Sequence, residues 1–270
     1  GERMVLEARE FLNDNGIPTF VTPEQAVKSF VYMYRYDYNL KLLQETPEAI
    51  LTDFRPDAVV VNGIMKTAAA QKRQVLHFRE VRQILETYGI PVVQSREVQT
   101  EDEAASVSAE IGYPVVLKTA SVKIFHRFEK GGGVFMNLKD GQAVREAFRS
   151  LRESLSGTEA DITVQPMVIR HGYELVLGAK KDPGFGSVIV FGMGGGYFEA
   201  IKDYSIGLPP LNQVLARRMM EETKIYQHLQ GIPSFQRVLR SLEEILVRFS
   251  QLIIDFRHLK EIDIDPFIIA

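Results

Sequence analysis

The order of segments predicts an α/β or α+β protein built from subdomains rather than from one continuous Rossmann sheet. Three observations carry this. From about residue 78 to the end, short apolar runs alternate with amphipathic stretches. No G-x-G-x-x-G opens a helix after a strand, which argues against a dinucleotide cofactor. The first 45 residues read α–β–α, the end of a parallel α/β domain whose apolar faces need a sheet that this chain does not fully supply.

Each element has its own signal. Val5, Leu6, Ala8 and Leu12 form a helical stripe that Asn15-Gly16 stops. Residues 17–21 (IPTFV) read as a short strand. Thr22, with Pro23 at the first helical position and Gln25 in a capping box, opens a helix carrying Ala26, Val27, Phe30, Val31 and Tyr34. Residues 46–75 form a connector, in which DAVVVNGIM is either a strand or the start of a buried helix. A helix over 78–88 ends at Tyr88-Gly89, and IPVVQ (90–94) reads as the next strand. Thr100 caps a helix that runs to Ile111-Gly112, and the strand YPVVLK (113–118) follows. GGVFMNL (132–138) is a strand and 141–155 a helix. Three strands come next, ITVQPMV (162–168), GYELVLGAK (172–180) and GSVIVFGMG (186–194), with Asp182-Pro183-Gly184 as a turn. Helices over 212–229 and 234–256 precede the last strand, EIDIDPFII (261–269).

Composition narrows the function. With 45% apolar and 25% charged residues over 270, the chain is an ordinary globular sequence. A net charge of −3 offers no footprint for nucleic acid or an anionic membrane. No apolar run approaches the roughly 18–20 residues of a membrane span. The absence of cysteine excludes a disulfide framework and fits a reducing cytoplasm. The expectation is a cytoplasmic protein without nucleic-acid or membrane partners. Phe30, Tyr32, Tyr34, Tyr36 and Tyr38 read as helix packing rather than a base-stacking platform, since no basic patch accompanies them. The N-terminus reads as a helix already inside a domain, so the chain is expected to be a fragment of something longer.

The chemistry concentrates in two segments. KTASVKIFHRFEKGGGV (118–134) starts with a lysine at a strand end, then carries His126 and three glycines. A lysine supplies a point charge, and glycine backbone lets N–H groups approach a polyphosphate closely. Histidine adds a nitrogen able to accept a phosphoryl group. FGMGGGYFEAIKD (191–203) supplies a second glycine cluster, with Gly194 and Gly195, followed by Glu199 and Asp203. In EIDIDP, alternation puts Asp263 and Asp265 on one strand face, a geometry suited to Mg²⁺. Together these residues point to nucleotide chemistry. His77, His171, His228 and His258 have no supporting pattern.

Residues of about 75–270 resemble the ATP-grasp domain of the ADP-forming (NDP-forming) acyl-CoA synthetases, relatives of succinyl-CoA ligase. LETYGIPVV, GYPVVLK, the His126 loop, VQPM, DPGFGSVIVFGMGGG, FEAIKD, LPPLN and EIDIDPF recur in order. Residues 1–45, with GIPTFVTPEQAVKSF, resemble the end of the preceding flavodoxin-like CoA-ligase domain. The implied organisation is that domain end over 1–45, a connector over 46–75, and ATP-grasp subdomains over 76–160 and 161–270. The family interconverts acid, CoA and ATP with acyl-CoA, ADP and phosphate through acyl phosphate and phosphohistidine. The resemblance implies that Lys118 contacts nucleotide phosphates and that His126 relays a phosphoryl group. It makes Gln165, Pro166 and Met167 the hinge that meets adenine through backbone groups, and turns Glu174 to the ribose. Gly194, Gly195, Glu199 and Asp203 then line the phosphate side, with Asp263 and Asp265 on Mg²⁺. ATP or ADP is the implied substrate. The implied partners are CoA-ligase domains or a subunit of the same enzyme, in a homo- or hetero-oligomer.

The chain departs from the family pattern at Val122, Lys123 and Arg127, where Pro, Asp and Lys are usual, and at Gly207, where an arginine is common. It also stops at Ala270, ahead of an aspartate that usually completes the metal site. A second reading follows from the departures: a degenerate, regulatory synthetase-like module of a protein lysine acetyltransferase. A third is a scaffold with an idle lysine.

Overall fold

The computed structural model describes residues 2–44, 54–119, 133–155, 161–168, 172–195 and 201–269. The chain divides into two compact units, Gly1–Ile50 and Leu51–Ala270. Among the described residues no helix is long and apolar enough to cross a membrane.

The first unit is a helix pair, α1 (Glu2–Asp14) and α2 (Pro23–Gln44). Gly16 takes φ +76° behind α1, a left-handed stop that an L side chain would resist. Thr22 Oγ1 accepts the Gln25 N–H at 3.4 Å, and the Gln25 amide oxygen takes the N–H of Val21 at 3.2 Å. Residues 17–21 are not a strand. A strand needs a partner for its backbone groups, and here the Thr19 N–H and hydroxyl turn instead to Asn13 Oδ1, at 3.0 and 3.1 Å. The expected packing of the α2 aromatics is also absent within this unit. Phe30, Tyr32, Tyr34 and Tyr36 are exposed, because the helix pair contains no sheet to cover them; Tyr34 stacks on Tyr38.

The second unit carries two antiparallel four-stranded sheets. It opens with α3 (Ala58–Ala70) and α4 (Phe78–Thr87). The DAVVVNGIM run is therefore a helix, started by Asp57, whose carboxylate accepts the N–H of Val59 at 3.0 Å. The first sheet has the order β1–β4–β2–β3, from β1 (Arg96–Val98), β2 (Val115–Thr119), β3 (Val134–Leu138) and β4 (Ile162–Pro166). Residues 90–94 join no strand ladder, the Ile90 N–H donating to Leu85 O at 2.9 Å, and the strand begins only at Arg96. Ile90 is instead buried in the core of the other sheet. The expected subdomain division at residue 160 falls just ahead of β4, which lies between β1 and β2.

Two helices, α5 (Glu101–Ile111) and α6 (Gly141–Ser154), cover one face of this sheet. Thr100 Oγ1 and Asp140 Oδ1 cap them on the N–H of Glu103 and Ala143. Leu117, Ile162 and Val164 pack there with Val144, Phe148 and Leu151. Because side chains alternate along strands, Val116 and Lys118 on β2, and Thr163 and Gln165 on β4, share the opposite face, where Phe78 of α4 reaches Lys118.

The second sheet has the order β7–β6–β5–β8. Its strands are β5 (Tyr173–Asp182), β6 (Gly186–Met193), β7 (Tyr204–Gly207) and β8 (Glu261–Ile269). Leu175, Leu177, Ile189, Phe191 and Phe267 pack against α7 (Gln213–Glu221), α8 (Lys224–Gln230) and α9 (Gln236–Asp255). The end of α4 joins this core through Ile84, Leu85 and Tyr88. Two expectations are corrected here. The stretch 212–229 is two helices broken at Glu222–Thr223, where the Thr223 hydroxyl caps Tyr226 N–H, and β7 had no separate signal.

Candidate functional site

Among the described residues, Lys118 and Gln165 lie on the face of the first sheet opposite α5 and α6, and Glu174, Asp263 and Asp265 lie exposed on strands of the second sheet. Lys118 stands near the end of β2, opposite Thr163 of β4. Its ammonium lies 4.9 Å from the ring centroid of Phe78, the first residue of α4, a cation–π geometry. Burial pushes the Lys118 amine below its usual value. A cation held part-desolvated, with no anionic partner among the described residues, is poised for a ligand that brings negative charge.

Gln165 and Pro166 end β4 beside Val116 and Val115. The Met167 N–H donates to Pro114 O at 3.1 Å and so extends the ladder past the strand. An adenine edge therefore meets this segment without the Met167 N–H, a restriction that sequence could not show.

On the second sheet, Glu174, Gly194, Gly195 and Asp265 come together. Gly194 N–H donates to Glu174 O at 2.8 Å, and Gly195 N–H to Asp265 Oδ1 at 3.1 Å. Gly195 has φ +68° and faces the Glu174 carboxylate where a Cβ would stand. At Gly194 a Cβ would lie 2.5 Å from the carbonyl carbon of Leu175. Both positions therefore require glycine, Gly195 by its φ and Gly194 by backbone approach.

Asp263 and Asp265 keep to the exposed side of β8, but a bulge in the β5–β8 register sets them apart. Asp263 lies over Gly178, with Oδ1 2.5 Å from where a Cβ would be. Burial, with the charges of Glu261 and Asp265 adding to it, pushes the Asp263 carboxyl above its usual range, while Lys180 opposes the shift. A divalent cation would relieve that repulsion, and oxygen ligands suit Mg²⁺. Among the described residues no group of three such ligands gathers. Mg²⁺ commonly uses one or two carboxylates with waters and substrate phosphates, so this donor set fits it.

His126 and Glu199, with Val122, Lys123 and Arg127, lie outside the described residues. Asp203 is described and corrects an expectation. It is buried, and its carboxylate accepts the N–H groups of Lys224 at 2.7 Å and Ile225 at 2.8 Å. Its oxygens cap α8 rather than facing phosphate. Gly207, where an arginine is common, has Met219 Sδ 2.8 Å from a built Cβ, so a side chain there would displace Met219. Phe78 escaped sequence reading because its partner Lys118 is 40 positions away.

Comparison with known proteins fits this geometry. The ATP-grasp domain family matches residues 67–270. The 4-hydroxybutyrate–CoA ligase [ADP-forming] of Nitrosopumilus maritimus is 32% identical over 97% of this chain and 37% of its own length. The chain thus spans little more than a third of that relative. The β subunit of acetate–CoA ligase [ADP-forming] I of Pyrococcus furiosus is 35% identical over 75% of this chain and 89% of the subunit. Acetyl-coenzyme A synthetase 1 of Ca. Korarchaeum cryptofilum has been solved with coenzyme A and Mg-AMPPCP, its phosphohistidine segment pointing towards the nucleotide binding site. It superposes with a TM-score of 0.62 at 32% identity, over 76% of this chain and 91% of that one. The match spans both sheets and the site strands, and the chain belongs to the ATP-grasp family, in the group of ADP-forming acid–CoA ligases.

Proposed function

We propose that this chain is the nucleotide-binding portion of an ADP-forming acyl-CoA synthetase, moving a phosphoryl group between ATP or ADP and His126. The observation that carries the reading is Lys118, a desolvated cation that meets the Phe78 ring and no carboxylate among the described residues. In this role Lys118 neutralises phosphate charge, and Phe78 holds its ammonium from one side. Gly194 and Gly195 bring backbone close to the ligand, with Glu174 at the ribose. Asp263 and Asp265 would hold Mg²⁺, which when bound neutralises charge on the transferring phosphates. His126 takes the phosphoryl group as its P–O bond to ADP breaks, then passes it to a carboxylate to give acyl phosphate. CoA-ligase domains, in the same chain or a partner subunit, complete the reaction, and the cytoplasm is its setting. The relatives found are ligases and lend the regulatory reading no support.

Titration calorimetry is expected to show ADP with Mg²⁺ binding to the wild type. At 100 times Kd the ligand should add about 2.7 kcal/mol of stability and raise Tm. Lys118→Ala should weaken binding by about 1.5–3 kcal/mol, the scale of a bond to a charged group. No binding at millimolar nucleotide would remove the reading.

The lowered Lys118 pKa predicts a pH dependence with a definite sign. Phosphate favours the charged amine, so binding takes up a proton once the bare protein has lost it. Affinity should therefore decline with rising pH below the ordinary lysine range, whereas Lys118→Ala shows no such decline. Without ligand the sign reverses. Between the lowered and ordinary values the unfolded chain binds more protons, so this group's contribution to stability rises with pH. A flat affinity profile across that window in the wild type would count against Lys118 as the phosphate contact.

A further inference from the structure

Glu97 on β1, Thr163 on β4 and Lys118 on β2 are successive cross-strand partners. Their neighbours Val98, Ile162 and Leu117 point into the core under α5 and α6, so these three share the opposite face. Glu97 and Lys118 flank one intervening strand, about 10 Å apart at Cα by ordinary strand spacing. Thr163 between them is small and occupied, its hydroxyl donating to Lys118 O at 3.3 Å. Glu97 Oε1 is shielded from solvent and has no hydrogen-bond partner among the described residues. A buried carboxylate oxygen without a donor is costly unless something else supplies one.

The row therefore offers one donor and one unsatisfied acceptor, one strand apart on the candidate nucleotide face. Adenine presents N7 as an acceptor next to the donor 6-amino group, whereas guanine presents two acceptors, N7 and O6. We propose that Glu97 is the base-selecting residue, its carboxylate accepting from the 6-amino group of adenine while Lys118 stands beside N7 or the phosphates. The proposal rests on the nucleotide reading above. In the bound state it satisfies Oε1, and it repels guanine by setting carboxylate against O6.

Calorimetric Kd values for ADP, GDP and IDP, each with Mg²⁺, test this in the wild-type chain, Glu97→Ala and Glu97→Gln. IDP is the probe that lacks the amine. The wild type should prefer ADP over IDP and GDP by about 5- to 150-fold, the range for a good base-edge pair. Glu97→Ala should weaken ADP binding and bind IDP and GDP no worse than the wild type does, since hypoxanthine and guanine both present O6 where the carboxylate stood, so that the preference for ADP collapses. Glu97→Gln can present either amide oxygen or amide nitrogen and should bring ADP and GDP close to parity. It should melt no lower than the wild type, which confirms that it is folded. ADP preference that survives intact in Glu97→Ala overturns the assignment and spares the nucleotide reading, as does a wild type that binds ADP and IDP equally. Absence of binding for all three nucleotides overturns both.

Discussion

Replacing His126 by alanine in the complete synthetase is expected to reduce acyl-CoA formation by roughly three orders of magnitude or more, the scale of losing a covalent nucleophile. Affinity for ADP should stay within about twofold, because the binding groups proposed above are elsewhere. An imidazole with an unperturbed pKa of about 6.5 is largely neutral and nucleophilic at pH 7. The measurement is acyl-CoA production together with acid-labile phosphate on the protein after exposure to labelled ATP. The wild type should carry the label and the variant should not. Normal turnover in the variant would remove the relay role, and a complete wild-type protein that never turns over would favour the regulatory reading.

A comparably large effect on stability is expected from Asp203→Ala. The carboxylate is 7% exposed and accepts two backbone N–H groups at the start of α8. Truncation would strand both donors where water cannot easily reach them. Losing a cap costs about 1–2 kcal/mol, and an unsatisfied buried group costs about 1–3 kcal/mol. A loss of about 2–4 kcal/mol in chemical denaturation is the expected result, with Asp203→Asn recovering part of it. If Asp203 served phosphate instead, the alanine variant would keep its stability and lose nucleotide affinity.

The elements that sequence revealed are those whose signals are local. Thr22, Thr100 and the turn Asp182-Pro183-Gly184 act within a few residues of themselves, and each lies where expected. Strands are less readable because a partner makes them. IPTFV and IPVVQ have β-branched residues and no ladder, whereas β7 is short and unremarkable until β6 pairs with it. The break at Thr223 depends on Asp203, 20 positions earlier, completing the cap of α8. The candidate site follows the same division. Lys118 and the glycines stood out through residue type and strand position. The contact of Phe78 with Lys118, the shielded oxygen of Glu97 and the engaged Met167 N–H all arise from register between distant segments, which no local pattern encodes.

One helix has consequences for how the two sheets move. The ten residues of α4 span about 15 Å and are gripped at both ends by different bodies. Beyond its far end, Tyr88 donates to Asp255 Oδ2 at 2.6 Å, and Arg248 reaches Gly89 O, locking that end into the layer beneath the second sheet. At its near end Phe78 meets Lys118, and His77 Nδ1 lies 3.3 Å from Asp161 at the entrance to β4. The helix is thus a connecting rod, clamped on one side and bearing on the other. A charge arriving at Lys118 would act on the rod's tip, where Phe78 meets the ammonium. A ligand held by Lys118 would thus bear on the layer beneath the second sheet through a single helix.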